Sequence, residues 1–391
     1  MRRFPHVASL ILSLTFAGTV PALSQVSLSQ TEANWTTRPG NSPVSFVYVS
    51  AAQESGFQVF AYSVAANGAL TAVPGSPFPA NANYLAGNGK YLFGTNGVQI
   101  DSYAIGSDGA LAQVASIDAQ SLNDYDCGGP ENLFLDRTGA TLYDPDFLGN
   151  ICANNAYQAF SIDQATGALT YLGAALASPA FNTPLSFTGE NVYGYSSDCY
   201  RDMPGIFAYQ RNSDSTLSQV QIAASIPTAP AGMFYCPLLS ASDSSNHVAV
   251  PLLPINSSTL QQAGPSQIAI YTADASGNLS TSSTYSNMPT TGVGSVNDIR
   301  ISPSGTFVAV AGNSGLQVFR FNGANQISHF SGLLFGKEVD SLSWDNSGHL
   351  YAISTSAGKL AVLTVSSTGI TLAPGSPYSI ASPQKIAVVT K

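Results

Sequence analysis

A turn of the form small-Gly-x-Leu recurs along this chain, and it limits the fold more than any other feature. Clear copies are Asn67-Gly68-Ala69-Leu70, Asp108-Gly109-Ala110-Leu111 and Thr166-Gly167-Ala168-Leu169. Weaker copies end at Leu217, Leu279, Ile327 and Ile370, so the closing residues are spaced by 41, 58, 48, 62, 48 and 43. Periods of this size belong to solenoids and propellers. Upstream of each turn lies an alternating segment such as Gln58-Val59-Phe60-Ala61-Tyr62 or Gln317-Val318-Phe319. Alternation at period two marks a strand with unlike faces. A second strand precedes that one, as in Phe46-Val47-Tyr48-Val49, Thr306 to Val310 and His349-Leu350-Tyr351. First strands are clearest at Glu131 to Asp136, Asn297 to Ser302 and Asp340 to Trp344, and a fourth follows each turn. Four antiparallel strands per repeat is the blade of a β-propeller.

Seven repeats predict an all-β, seven-bladed propeller over residues 43–391. The first repeat lacks a first strand, and the C-terminal segment Gln384 to Val389 is a strand with no repeat of its own. Pairing the two closes the ring and removes its open edge. Composition agrees. Charged residues make up 9% of the 391-residue chain, against a usual ~25%. Gly (35) and Pro (23) are abundant, as frequent turns require, which excludes a helical bundle. The net charge of −9 leaves no basic footprint for nucleic acid.

Arg2 and Arg3, the apolar run Val7 to Val20, and Ala22-Leu23-Ser24 have the form of a secretory signal. Residues 1–24 are expected to be removed after Ser24, with residues 25–42 a flexible lead-in. No other stretch is long and apolar enough for a membrane span. The chain is therefore expected to be secreted or periplasmic, and monomeric. Export makes Cys127, Cys152, Cys199 and Cys236 disulfide partners. Three pairings exist. Blade topology puts all four on one face, the top, and favours Cys127–Cys152 and Cys199–Cys236.

Three phrases carry a family likeness. They are Gly68-Ala69-Leu70-Thr71-Ala72-Val73-Pro74-Gly75-Ser76-Pro77-Phe78, Ile301-Ser302-Pro303-Ser304-Gly305-Thr306-Phe307 and Leu372-Ala373-Pro374-Gly375-Ser376-Pro377-Tyr378. In these the chain resembles the lactonase family of seven-bladed propellers, which includes bacterial 6-phosphogluconolactonase. The resemblance covers about residues 44–390 and implies a sugar-lactone hydrolase site of His, Glu and Arg near the channel mouth. The family's Pro-His position reads Gly129-Pro130-Glu131-Asn132 here, its Glu-Ile phrase reads Asp298-Ile299, and its Arg position falls at about Asn313. An acid is kept, while the His and the Arg are not.

Asp298 and Arg300 are two apart on the inner strand of blade six and share a face. Asp198 and Arg201 fall on the top loop of blade four. Carboxylate beside guanidinium suits a polar ligand, or an ion pair in the channel wall. Asp124, Asp126, Glu131, Asp144, Asp146, Asn154 and Asn155 crowd the top of blade three. Such oxygen donors suit Ca²⁺, although the spacing matches no EF-hand and a solvated acidic rim has the same composition. Tyr125, Tyr195, Tyr200 and Tyr235 lie near the same face, as sugar-contacting rings or as packing for the top loops. His247, His329 and His349 are expected on the surface, away from the channel. The uncharged stretch Pro251 to Pro265 is expected as a top-face loop inserted in blade five.

The leading expectation is a scaffold that binds a sugar or surface polymer at the top, with weak or no catalysis. An alternative is an extracellular sugar-lactone hydrolase, with Asp298 or Glu131 as base and Arg201 or Arg300 stabilising the oxyanion. A third is an envelope protein that docks partners on its flat faces.

Overall fold

Seven antiparallel sheets are arranged as the blades of a propeller. The computed structural model describes residues 42–54, 56–119, 122, 132–148, 154–177, 183–200, 203–220, 224–323 and 327–391. The expected signal and most of the lead-in lie outside the described residues.

In blade one, Ser45–Gln53, Gly56–Val64 and Leu70–Ala72 are joined by the C-terminal Pro383–Thr390, which pairs with Ser45–Gln53 as the innermost strand. The ring thus closes as the sequence predicts. Blade two is Tyr84–Gly87, Tyr91–Thr95, Gln99–Ile105 and Leu111–Asp118. Blade three is Phe134–Leu135, Thr141–Leu148, Asn154–Ile162 and Leu169–Ala177. Blade four is Ser186–Phe187, Tyr193–Tyr200, Met203–Arg211 and Leu217–Val220. Blade five has a split inner edge, Met233–Pro237 and Ala241–Ser242, followed by His247–Asn256, Gln267–Ala273 and Leu279–Ser280. Blade six is Val296–Ile301, Phe307–Gly312, Gly315–Arg320 and Ser328–His329. Blade seven is Ser341–Trp344, His349–Ser354, Lys359–Ser366 and Gly369–Leu372. The two Pro-Gly-Ser-Pro phrases add short outer strands, Phe78–Pro79 and Tyr378–Ser379, on blades one and seven.

The core lies between blades, which is why second strands such as Phe307–Gly312 and His349–Ser354 are buried on both faces. Phe46 and Tyr48 of blade one pack with Leu92 and Tyr103 of blade two. This layering explains the repeated glycine. In five of the seven blades the glycine of the turn before the fourth strand sits on a ring from the preceding blade. A Cβ at Gly109 would stand 2.5 Å from the Phe46 ring, at Gly167 2.7 Å from Tyr91, and at Gly277 2.5 Å from Tyr193. The same contact crosses the closure, where a Cβ on Gly68 of blade one would meet His349 of blade seven at 2.9 Å. Tyr48 and Tyr195 donate their hydroxyls to the carbonyls of Gly109 and Gly277, both at 3.0 Å. Positive φ and a ring overhead together exclude any side chain there.

Three expectations are corrected. Residues 251–256 are not a loop. They continue the second strand of blade five and pair with Met233–Pro237, placing Cys236 opposite Leu253 and Tyr235 opposite Pro254. Asp198 and Cys199 belong to the strand Tyr193–Tyr200, because the blade-four hairpin stays paired as far as Tyr200–Met203. His349 is not on the surface; it is 1% exposed, held by Asp345.

Candidate functional site

The inner strands of all seven blades line a central channel. Its deeper part is a cavity of about 410 Å³ walled by residues such as Leu85, Leu133, Leu185, Ala241, Trp344 and Ile386. Arg300 is the charged residue in that wall. Arg300 also lines a chamber of about 280 Å³ nearer the strand entries, together with Tyr84, Asn132, Asn297, Asp298 and Lys385. A third space of about 520 Å³ shares Asn297 and Lys385 with this chamber and adds Asp340, Thr355 and Gln384. The three spaces form a polar funnel, in which Ser186, Ser240, Ser242 and Ser343 interrupt the apolar wall of the 410 Å³ cavity.

Asp298 organises the chamber. It is 9% exposed. Its Oδ1 accepts the N–H of Ile299 at 2.8 Å and lies 3.1 Å from Arg300 Nε. Its Oδ2 accepts the N–H of Leu342, in blade seven, at 2.8 Å. Arg300 is therefore held on one side while half its side chain stays exposed. Asn297 donates Nδ2 to the Val339 carbonyl at 3.1 Å. Lys385 enters from the closing strand, where its N–H donates to Ser50 Oγ at 3.0 Å, and its Nζ sits 5.6 Å from the centre of the Tyr84 ring. Arg300, Lys385 and Asp298 concentrate charge in the chamber, and Asp340 adds a second carboxylate in the adjoining space.

Arg137, in the turn between the first two strands of blade three, ties that blade to blades four and five. Its Nε donates to the Phe187 carbonyl at 2.6 Å, and its Nη2 donates to the carbonyls of Ser242 and Asp243. Burial lowers its pKa, and the Asp243 charge opposes that shift.

The predicted residues separate into three groups. Asp298 and Arg300 come together as expected from their spacing. Tyr235 does not face solvent. It is 2% exposed and donates its hydroxyl to Gln267 Oε1, and burial, with Tyr285 nearby, pushes its pKa up to about 12. Its ring belongs to the core cluster that joins Tyr195 and Ile206 of blade four to Val248 and Leu252 of blade five. Asp198 stays beside Cys199, whose N–H it accepts at 2.7 Å. Cys199 and Cys236 form a disulfide between blades four and five, with Cα atoms 5.1 Å apart. Glu131, Arg201, Tyr125, Asp126, Cys127 and Cys152 lie outside the described residues, as do the side chains of Asp146 and Tyr200. Most donors of the expected Ca²⁺ site fall there too. Among the described residues no group of three or more His, Cys, Asp or Glu side chains is placed to hold a metal ion.

Sequence reasoning missed Lys385, Asn297 and Tyr84. A lysine inside the otherwise apolar closing strand was the available signal for the first. It missed Arg137 and the buried Asp345 as well.

No protein-family model matches the chain, and no curated protein matches its sequence. Solved structures do. A provisionally named 6-phosphogluconolactonase from Bacteroides uniformis superposes with a TM-score of 0.65 at 14% identity, over 89% of this chain and 100% of its own. One from Bacteroides fragilis gives 0.63 at 13%, over 90% and 100%. The periplasmic gluconolactonase of Pseudomonas aeruginosa gives 0.62 at 16%, over 88% and 99%. The likeness establishes a seven-bladed propeller of the kind these lactonase-named proteins have.

Proposed function

We propose that this chain is an exported, lactonase-like propeller that binds a sugar acid or sugar lactone in the funnel mouth, with little or no turnover. The observation that supports this best is the Asp298–Arg300 pair. A guanidinium fixed at one edge presents its remaining N–H donors to a carboxylate or lactone oxygen. Lys385 and Asn297 in the same chamber add charge and hydrogen bonding. The names of the structural neighbours are compatible with a sugar-lactone ligand.

Little turnover is inferred from the lone pairs. Asp298 spends Oδ1 on Ile299 and Arg300 and Oδ2 on Leu342, which leaves poor geometry for taking a proton from water. His247 and His349 are bound to Asp243 and Asp345, and His329 contacts Gln317. None of the three lines the channel cavities.

The second reading is a sugar-lactone hydrolase in which Asp298 activates water and Arg300 stabilises the oxyanion. It is favoured by the 3.1 Å contact of these two groups within the chamber. Calorimetric titration with gluconate and pH-stat assay with glucono-lactone separate the readings. Saturable binding lost in Arg300→Ala, with no acid release above buffer, supports the binder. Turnover abolished by Asp298→Asn supports the hydrolase and overturns the binder.

A further inference from the structure

A second concave site lies outside the funnel. It is a pocket of about 390 Å³ at the top rim of blade seven, between the segment entering that blade and its Ser354–Lys359 turn. It shares no lining residue with the channel cavities. Val339, Ala352, Ile353 and Ala361 form an apolar floor, each at most 6% exposed. Phe335 stands over it with 42% of its surface exposed. Lys337, Glu338 and Lys359 edge the pocket.

Phe335 holds an uncommon conformation, with φ +71°. A bulky residue in the left-handed region is strained and persists only when its surroundings enforce it. Here they do. Leu334 donates to the Leu316 carbonyl at 2.7 Å and accepts the Leu316 N–H at 3.1 Å. Gly315 lets the segment lie this close, since a Cβ there would come within 2.4 Å of the Leu334 carbonyl oxygen. Main-chain bonding therefore displays an aromatic ring to water where glycine would be relaxed and a polar residue better solvated. Displayed aromatic area over a dry floor is how small-molecule sites are built. The rim carries two ammonium groups against one carboxylate, and Lys359 Nζ directs one bond to Ser379 Oγ at 2.7 Å.

We infer that this pocket binds a small amphiphile with an aryl or acyl body and one anionic head. The body lies on Val339, Ile353 and Ala361 under the Phe335 ring. The head meets Lys337 and Lys359.

The test is a fluorescence titration of the purified protein with 1-anilinonaphthalene-8-sulfonate, repeated with N-phenyl-1-naphthylamine, which has the rings without the sulfonate. One saturable site for the anion is expected, at least tenfold weaker in Phe335→Gly and in the double variant Lys337→Glu, Lys359→Glu. Arg300→Ala is expected to leave it unchanged, which separates this site from the funnel. Glycine suits the backbone at 335, so a folded variant is expected, verified by an unaltered or raised Tm. Anion binding equal in wild type and both variants overturns the site. Equal affinity for the uncharged probe overturns the anionic head. Loss of binding in Arg300→Ala alone assigns the probe to the funnel and overturns the proposal.

Discussion

Asp298 Oδ2 accepts the main-chain N–H of Leu342 at 2.8 Å, across the junction of blades six and seven. The residue that aims Arg300 into the funnel is therefore also a latch between blades. The two roles separate by substitution. Asp298→Asn keeps an acceptor for Leu342 but loses the charge that holds Arg300, so ligand affinity should fall while stability stays near wild type. Asp298→Ala leaves the Leu342 N–H unpaired, which costs roughly 1–3 kcal/mol. Urea midpoints measured beside calorimetric titrations check both. Equal stability losses in the two variants would remove the latch.

The turn glycines differ in what surrounds them. Gly305 has φ +68° and nothing within 4 Å of the place a Cβ would take, whereas Gly109 has φ +89° and the Phe46 ring at 2.5 Å. Gly305→Ala should lose only the left-handed penalty, roughly 1–2 kcal/mol. Gly109→Ala should lose a further 1–3 kcal/mol or so from overpacking. Chemical denaturation of the pair tests the inter-blade account. Matched losses would mean that the ring yields freely and that the repeat is kept for backbone geometry alone.

The repeat was legible because its signals are local. Gly68, Gly109 and Gly167 announce left-handed turns, and alternation announces the strands beside them. The ring above Gly109 or Gly167 belongs to another blade, 63 or 76 residues away, and that above Gly68 lies 281 residues away across the closure, so the reason for glycine was not legible. Closure was readable from an unpartnered C-terminal strand. The placing of Lys385 in the funnel was not, because the register shifts at Ser50 and Ala51 where that strand pairs. Tyr235 reads in sequence as a surface ring beside a cysteine, but the pairing of Met233–Pro237 with the far end of His247–Asn256 makes it part of the sheet, and its ring packs in the cluster with Tyr195 and Ile206 of blade four. His349 did carry a local signal. Asp345-x-x-x-His349 and Asp243-x-x-x-His247 repeat one spacing, and in both the Asp accepts the His main-chain N–H and binds its Nδ1.

Acid should find that first pair. Burial alone would raise the Asp345 pKa, but hydrogen bonds from the His349 side chain and main chain, the His349 charge and the Tyr351 hydroxyl hold it below the ordinary carboxylate range. A carboxyl depressed in the folded state stabilises above its unfolded value, about 3.9, and loses that contribution as pH falls through the folded value. Asp345→Asn should thus be less stable than wild type at pH 7, with the gap narrowing below about pH 4. Urea midpoints at pH 7 and pH 3 measure the gap. A gap that is constant with pH would show that the Asp345 charge contributes nothing to folding.

The Cys199–Cys236 disulfide joins the second strand of blade four to the inner edge of blade five, across a separation of 37 residues. A loop of that length, closed in the unfolded chain, is worth roughly 2–4 kcal/mol on the chain-entropy account. Replacing both cysteines by serine should lower stability by that amount without changing the fold. Reductant should bring wild type down by at least the loss seen in the double variant, and any fall that the variant itself then shows belongs to the expected Cys127–Cys152 pair. The comparison is informative because the two blades have other ties. Ser240 Oγ donates to the Tyr195 carbonyl at 2.7 Å, and Ser242 Oγ to the Ser186 carbonyl at 3.0 Å. Those bonds survive reduction, so the junction should loosen rather than part. Circular dichroism of the reduced protein should keep its strand signal while its urea midpoint falls. A midpoint indifferent to reductant, with both thiols then reactive to maleimide, would show that the serine bonds alone set the stability of this junction.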